Sequence, residues 1–409
     1  MKRVLTILLF LFFASSSAFA ADWTGWRGAN RDGFVSGFNL PKELPKELKQ
    51  QWRVTVGIGH SSPLVVGDKI FVFTRQDESE VLLCLELATG KEVWRVANEN
   101  ISYTPHQAAI AHGKGPKSTP VFWKNKIYTL GITGVLSCHD ATTGKLIWRK
   151  EFSKQYAKTS PLFGTATSPI VDNGLLIAHV GGHDKGALTA FDAETGNVRW
   201  FYDGDGPAYS SPIVVKLADT KQVVTYTQKE FVGIDAMNGK KLWSLVAKSE
   251  YDENCVTPIL YKDMLIFSLE RQGILAIRII KKSGVYQTQE VWKNADHEFY
   301  MSTPVVNDNV LFGFSAKRKG QFFAMDANKG ITLWQSEGRM GENASILNTG
   351  KVLFMLTNDA NLLIAKTSGV TFDRLAKYTV ASSETWAHPV LLNNRILIKD
   401  EKTIVSFSF

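Results

Sequence analysis

Cysteine is scarce in this chain: Cys84, Cys138 and Cys255 are the only three in 409 residues. A small domain stapled by disulfides is therefore excluded. No five or six like charges stand together, although Lys and Arg outnumber Asp and Glu by 47 to 39 for a net charge of +8. That pattern describes a solvated surface and permits an acidic partner, such as a polyanionic sugar or a lipid headgroup, without demanding one; no nucleic-acid motif is present. Beyond the first twenty residues no apolar run approaches the roughly 18 residues that a membrane span needs. The phosphate loop, the G-x-S-x-G elbow, the H-E-x-x-H helix and the EF-hand loop are all missing. Their absence removes the common nucleotide, serine-hydrolase, zinc-protease and EF-hand calcium chemistries.

The first twenty residues are unlike the rest. Lys2 and Arg3 precede the apolar run VLTILLFLFF, and SSSAFA ends in small residues at Ala18 and Ala20. Basic start, apolar middle and small-residue end are the parts of a secretory signal peptide. Residues 1–20 are expected to be cleaved near Ala20, leaving a periplasmic or secreted protein without a membrane span. Residues 21–48 read as an N-terminal clasp segment and 49–409 as a single repeat domain. In the clasp, Trp23 and Trp26 are expected to pack outside the domain, with Arg27 and Arg31 paired to nearby acids.

What the chain has in abundance is self-similarity. Small residues and Pro lead into an apolar strand, followed by a turn, a second strand and a third strand ending in Asp. Then come x-x-x-Gly and a fourth strand ending in Trp. AFDAETGNVRW and AMDANKGITLW are two copies of the closing half. The tail aromatics are Trp52, Trp94, Trp148, Trp200, Trp243, Trp292, Trp334 and Tyr378. Four short strands per repeat of roughly 40 to 55 residues is the pattern of a β-propeller. The seventh copy has lost its Pro, and the eighth has only three strands before Phe409. Its missing outer strand is available in KQQWRV around Trp52. The fold expected is all-β: an eight-bladed β-propeller of four-stranded antiparallel blades, closed by the N-terminal strand. Each Trp is expected to dock on the neighbouring blade. The repeated Asp and Gly are turn chemistry, since Asp caps its own backbone and Gly supplies positive φ. Cys84 and Cys138 align with Ala190, Gly233 and Ala324, so they read as small buried strand residues rather than a bridge.

The A-x-D-x-x-T-G-x-x-x-W tails resemble those of the pyrroloquinoline-quinone-like (PQQ-like) β-propeller repeat proteins, over essentially all of residues 49–409. The opening DWTGWRGANRDG is similar to that of an exported bacterial subgroup. The resemblance implies the propeller fold and two functional classes. One is the quinoprotein dehydrogenases, which hold PQQ with Ca²⁺ and carry an adjacent Cys-Cys pair that this chain does not have. The other is non-catalytic, as in the propeller of the outer-membrane protein assembly machinery, which this chain matches in size and blade count. The reading adopted is a non-catalytic, monomeric exported propeller that binds a protein or carbohydrate partner in the cell envelope and carries no cofactor. The alternative is a PQQ-dependent or carbohydrate-active enzyme.

Either function belongs on the loops around the axis, where a rigid scaffold holds variable residues. The candidate ligand-binding residues are His60, His106, His183, Arg271, Tyr300, Arg318, Glu342, Asn343, Trp386 and His388. Lys117 and Tyr209 enter on the same loops. The longest insert, residues 98–118, carries His106 and His112 and is long enough to lie over the axis as a flap. His183 with Asp184 is a candidate base pair. His106 and His112, with His60 or His388, are a candidate metal set without diagnostic spacing. No metal is assigned.

Overall fold

The computed structural model describes residues 22–99 and 101–409. The expected signal peptide lies outside the described residues. Eight four-stranded antiparallel sheets follow one another around an axis. The first blade runs from an inner strand, Leu64–Val66, through Lys69–Gln76 and Ser79–Glu86 to an outer strand, Glu92–Asn98. Inner strands are three to five residues long and middle strands are almost wholly buried. Buried on both faces, the middle strands read as apolar runs such as VLFMLT and MLIFSL. The eighth blade takes Val390–Leu392, Arg395–Lys399 and Thr403–Ser408 from the C-terminal end and Lys49–Thr55 from the N-terminal end. Trp52 lies opposite Ser406 in that closing pair. The ring is closed as the strand count required.

A β-bulge recurs at one place in the outer pair of each blade. It leaves Trp94 opposite Cys84, Trp148 opposite Cys138, Trp200 opposite Ala190, Trp292 opposite Ala276 and Trp334 opposite Ala324. The facing residue is small because the indole lies across it: a Cβ on Gly233 would stand 2.1 Å from Trp243 Nε1. Cys84 and Cys138 are buried free thiols for this reason. The rings of Trp52, Trp94, Trp148, Trp200 and Trp292 also cover the turn glycine of the next blade. Gly196 packs on Trp148, Gly239 on Trp200 and Gly330 on Trp292. Indole N–H groups donate to the carbonyls of Ala193 (from Trp148), Ala236 (from Trp200) and Ala327 (from Trp292) at 3.1–3.2 Å. Trp52 makes the same bond to Leu87 O, at 3.1 Å. The seventh blade inverts the pair. Ile364 faces Ala376 before the bulge, and Tyr378 falls two residues further on, donating to Pro45 O at 2.8 Å. Tyr378 therefore does not occupy the Trp position that the repeat alignment gave it.

The N-terminal segment is placed differently from the expectation. It threads the axis instead of clasping the outside. Trp23 exchanges backbone hydrogen bonds with Val65 of blade one, and Thr24 O accepts from Phe122 N of blade two. Val35 N donates to Asn348 O of blade seven. Arg27 is fully buried and donates to Thr303 O and Pro304 O of blade six, both at 2.7 Å. Arg31 donates to Ser168 O, Pro169 O and Pro212 O of blades three and four. These partners are carbonyls, not acids. Inner strands are sheet edges whose carbonyls face the axis without a ladder partner. A planar guanidinium with five donors can serve several of them together. Burial lowers Arg27 to about 10 and Arg31 to about 9, so both remain cationic at neutral pH.

Candidate functional site

Because the threaded segment fills the middle of the axis, a cavity is left at each end. The lower one, about 440 Å³, lies among Asn30, Arg31, Asp32 and Phe34 and the inner strands of blades three to six. The upper one, about 200 Å³, opens on the loop face, with Trp26 among its lining residues.

The frame around the upper pocket is the small-residue–Pro motif. In blades one to six a Ser or Thr precedes Pro, and its hydroxyl accepts the backbone N–H of the equivalent residue one blade earlier. Thus Ser62 N bonds Thr119 Oγ1, Thr119 N bonds Ser168 Oγ, and Ser168 N bonds Ser211 Oγ. Ser211 N continues to Thr257 Oγ1, and Thr257 N to Thr303 Oγ1. His388 N joins blade eight to this row, donating to Ser62 Oγ at 2.8 Å. Two blades break the motif. Blade seven has Ala344 and Ser345 without Pro, and blade eight puts the His388 imidazole where the others carry a hydroxyl. Both breaks line the pocket.

From this frame each blade sends a residue inward. His60, Lys117, Phe163, Tyr209, Glu253, Cys255, Met301, Asn343, Trp386 and His388 line the pocket, with His112 from the 98–118 insert. Five ring contacts run through the wall. Trp26 meets His388 at 5.2 Å and His60 meets Trp386 at 6.2 Å; His112 meets Trp386 at 5.8 Å and Phe163 at 6.0 Å; Phe163 meets Tyr209 at 5.8 Å. Lys117 Nζ donates to Phe163 O at 2.6 Å, and it makes no ion pair with a carboxylate of the described residues. His388 Nδ1 is shielded from solvent and has no hydrogen-bond partner.

The electrostatics follow from burial. Desolvation, with Lys399 and Lys117 nearby, pulls His60 down to about 3. The same effect with Arg27 beneath takes His388 to about 3. Both imidazoles are therefore neutral at physiological pH. His60 Nε2 lies 3.2 Å from His112 O, so in the neutral ring Nε2 carries the proton and Nδ1 is the acceptor. Burial lowers Lys117 to about 8, and it raises the Cys255 thiol to about 12. Glu253 is also raised, first by burial and then by Glu270 and Glu250.

Of the ten expected residues, the pocket gathers His60, Asn343, Trp386 and His388. Arg271 and Tyr300 line a separate cleft of about 500 Å³ between blades four and five, which shares Glu253 and Cys255 with the axial pocket. There Arg271 is exposed and pairs with Glu250 and Glu270. His106 stays outside; its Nδ1 accepts from Ala108 N at 3.3 Å and starts the short 3-10 helix Gln107–His112. Only the His112 end of the insert reaches the pocket. Arg318 is exposed on a short turn and Glu342 is exposed beside Asn343. His183 Nε2 stands 3.6 Å from Asp184 Oδ1 because a turn, not a strand, holds the pair. Among the described residues no group of three or more His, Cys, Asp and Glu converges in a way that could hold a metal ion. Trp26, Phe163, Glu253, Cys255 and Met301 were not anticipated. For blades seven and eight the departure from Ser/Thr-Pro was the usable signal.

A ring of eight blades around an axial aromatic pocket defines a PQQ-like propeller. A family model described as outer membrane protein assembly factor BamB matches residues 78–335 and 286–395, and the chain belongs to this family of PQQ-like propeller repeat proteins. It is 19% identical over 383 residues to the outer membrane protein assembly factor BamB of Yersinia pestis, covering 87% of this chain and 88% of that one. It is 31% identical over 178 residues to the dehydrogenase subunit of a quinone alcohol dehydrogenase of Komagataeibacter europaeus. That match spans 39% of this chain and only 22% of the dehydrogenase subunit. Two solved structures share the fold. BamB from Moraxella catarrhalis has a TM-score of 0.62 at 13% identity, covering 88% of this chain and 100% of that one. A quinohemoprotein alcohol dehydrogenase from Pseudomonas putida has 0.67 at 13%, covering 95% and 80%.

The dehydrogenase relatives raise the question of whether this pocket suits PQQ held with Ca²⁺. Calcium takes six to eight oxygen ligands, with carboxylates prominent. Here Glu253 is the one carboxylate among the lining residues, and Asn343 the one side-chain amide. The remaining polar side chains are imidazoles, indoles, a lysine, a thiol, the Tyr209 phenol and small hydroxyls. That donor set does not fit a calcium-held quinone.

Proposed function

We propose that this chain is a non-catalytic propeller of the cell envelope that binds a partner through the loop face around its axial pocket. The observation that carries the reading is the pocket's chemistry. It has an aromatic wall, two imidazoles kept neutral and one lysine without a carboxylate partner. It lacks an oxygen cluster for calcium and a nucleophile with an adjacent base. Such a wall holds a ligand by stacking and a few directed hydrogen bonds. The end-to-end sequence likeness to an assembly factor supports a binding role, whereas the sequence likeness to a dehydrogenase subunit covers 39% of this chain and 22% of that one. No helix among the described residues is long and apolar enough to cross a membrane, which suits a protein exported whole into the periplasm.

The test is capture from an envelope fraction with wild-type protein and with Trp386→Ala, whose side chain stands on the rim. Wild type should retain a partner that the variant loses. Adding PQQ and Ca²⁺ should leave the melting temperature unchanged. A shift with a bound chromophore, or turnover of an alcohol or sugar, overturns the proposal.

A further inference from the structure

The pocket's composition says more than that something binds there. Three features stand together within its roughly 200 Å³. The first is an aromatic wall of inclined rings, in which Trp386 meets His60 and His112 at ring centroids 6.2 and 5.8 Å away, tilted 57° and 82° to them. The second is the His388 imidazole, a neutral lining group whose ring makes no hydrogen bond to the described residues. The third is Lys117, whose ammonium meets a backbone carbonyl and no carboxylate. An imidazole in a partly desolvated wall with no protein hydrogen-bond partner costs free energy that a directed hydrogen bond from a ligand relieves. A half-buried ammonium without a counter-charge carries a similar cost. Both costs are relieved together by a ligand with a hydroxyl on one side and an anionic oxygen on the other.

We infer that the axial pocket binds a hexuronic acid ring, with its apolar face on Trp386, a hydroxyl at the His388 imidazole and its carboxylate at Lys117. The size of the cavity suits a single ring, and its opening on the loop face leaves room for the ring to be one unit of a chain. A neutral hexose would leave Lys117 without its counter-charge. A plain aromatic acid would leave His388 unpaired. The uronate completes both. The depressed lysine adds a linkage: a carboxylate favours the charged ammonium, so binding takes up protons when the free site is partly neutral. Affinity for a uronate should therefore hold steady below about pH 8 and weaken above it.

This inference rests on the binding role proposed above and names its ligand class. Tryptophan fluorescence and calorimetry on the full chain can test it with galacturonate, glucuronate, glucose, benzoate and a short oligogalacturonide. Saturable binding of a uronate at least tenfold tighter than of glucose or benzoate is expected. Lys117→Met should erase that preference while its melting curve shows a folded protein. Lys117→Arg should retain part of it, and the loss of affinity above pH 8 should disappear in both variants. Tighter binding of the oligomer than of the free sugar would identify a polymer as the source; the reverse order would identify the free acid. No saturable binding of any uronate, or equal affinity for glucose, overturns the inference and leaves the envelope-binding role standing. Cleavage of the oligomer would do the opposite, supporting the ligand class while ending the non-catalytic reading.

Discussion

Arg27 and Arg31 show how much a single residue's surroundings can hide from sequence. Both look like surface cations, in a polar stretch outside the repeat that offers no periodicity to place them. Their burial follows from the axis-facing carbonyls of the inner strands, and those carbonyls converge only once the ring has closed. His388 was legible as a loop residue, but its neutral state was not: it comes first from burial in the closed ring and then from Arg27, which arrives beneath it from the far end of the sequence. That state has a measurable consequence. In the unfolded chain His388 regains a pKa near 6.5, whereas in the folded protein it stays near 3. Between these values the unfolded chain binds a proton that the native state refuses, so stability falls as pH drops below about 6.5. The slope from this one residue is up to about 1.4 kcal/mol per pH unit. His388→Gln removes it. Denaturant titrations of the two proteins should run parallel from pH 7 to 8 and converge towards the variant's favour from pH 6 to pH 4. Glu80 pulls the other way, since burial raises it to about 7, but it does so equally in both proteins. Parallel curves down to pH 4 would mean that His388 is solvated and free to protonate.

At the scale of the element, the closing half of each repeat is a latch between blades. The Asp-x-x-x-Gly turn and the terminal Trp were readable because each recurs, and recurrence marks scaffold. What recurrence could not give was the partner, which lies one blade away: the indole of one repeat covers the glycine of the next. The seventh blade shows the limit of pattern matching. Its aromatic was present, but the bulge placed Ala376 at the Trp position, with Ile364 enlarged opposite it. The latch predicts two different costs for one kind of substitution. Gly67 and Gly330 both have positive φ, +57° and +69°. At Gly67 a Cβ would meet nothing within 4 Å, so Gly67→Ala should cost only the left-handed backbone penalty, about 1 kcal/mol. At Gly330 the Cβ would fall 2.4 Å from Trp292 Cε3, and the ring must be displaced from its dock. Gly330→Ala should then cost about 1–3 kcal/mol more, the usual range for overpacking a well-fitted contact. Equal shifts in denaturation midpoint for the two variants would show that the indole is free to move and that the latch is not tight.

The whole molecule depends on a contact between its two described ends. Strand Lys49–Thr55 pairs with Thr403–Ser408, and Trp52 donates to Leu87 O, the same carbonyl that accepts from Arg395 Nη1 at 2.7 Å. Arg53 pairs with Asp400 at 3.3 Å, and Val56 N donates to Lys402 O. One cluster of buried side chains crosses this seam. It includes Trp52, Ile70, Leu83, Leu397 and Ile404, together with Trp23 and Val35 of the axial segment. Opening the ring here would expose two strand edges and release the axial segment with them. A Trp inside the ring has no such reach, because its blade stays covalently joined to both neighbours. Trp52 and Trp334 make a fair comparison, being 9% and 8% exposed. Either change to Ala removes a large buried aromatic, on the order of 3 kcal/mol or more. Trp52→Ala should lower the melting temperature further than Trp334→Ala. It should also make the Lys49–Thr55 strand the first to exchange its amides or to be cut by a protease. A chain lacking residues 22–55 should aggregate or be digested at concentrations where the full chain is stable. If Trp334→Ala proves as damaging as Trp52→Ala and the truncated chain stays monomeric with an unchanged melting temperature, the ring is held by its individual blades and closure contributes nothing of its own.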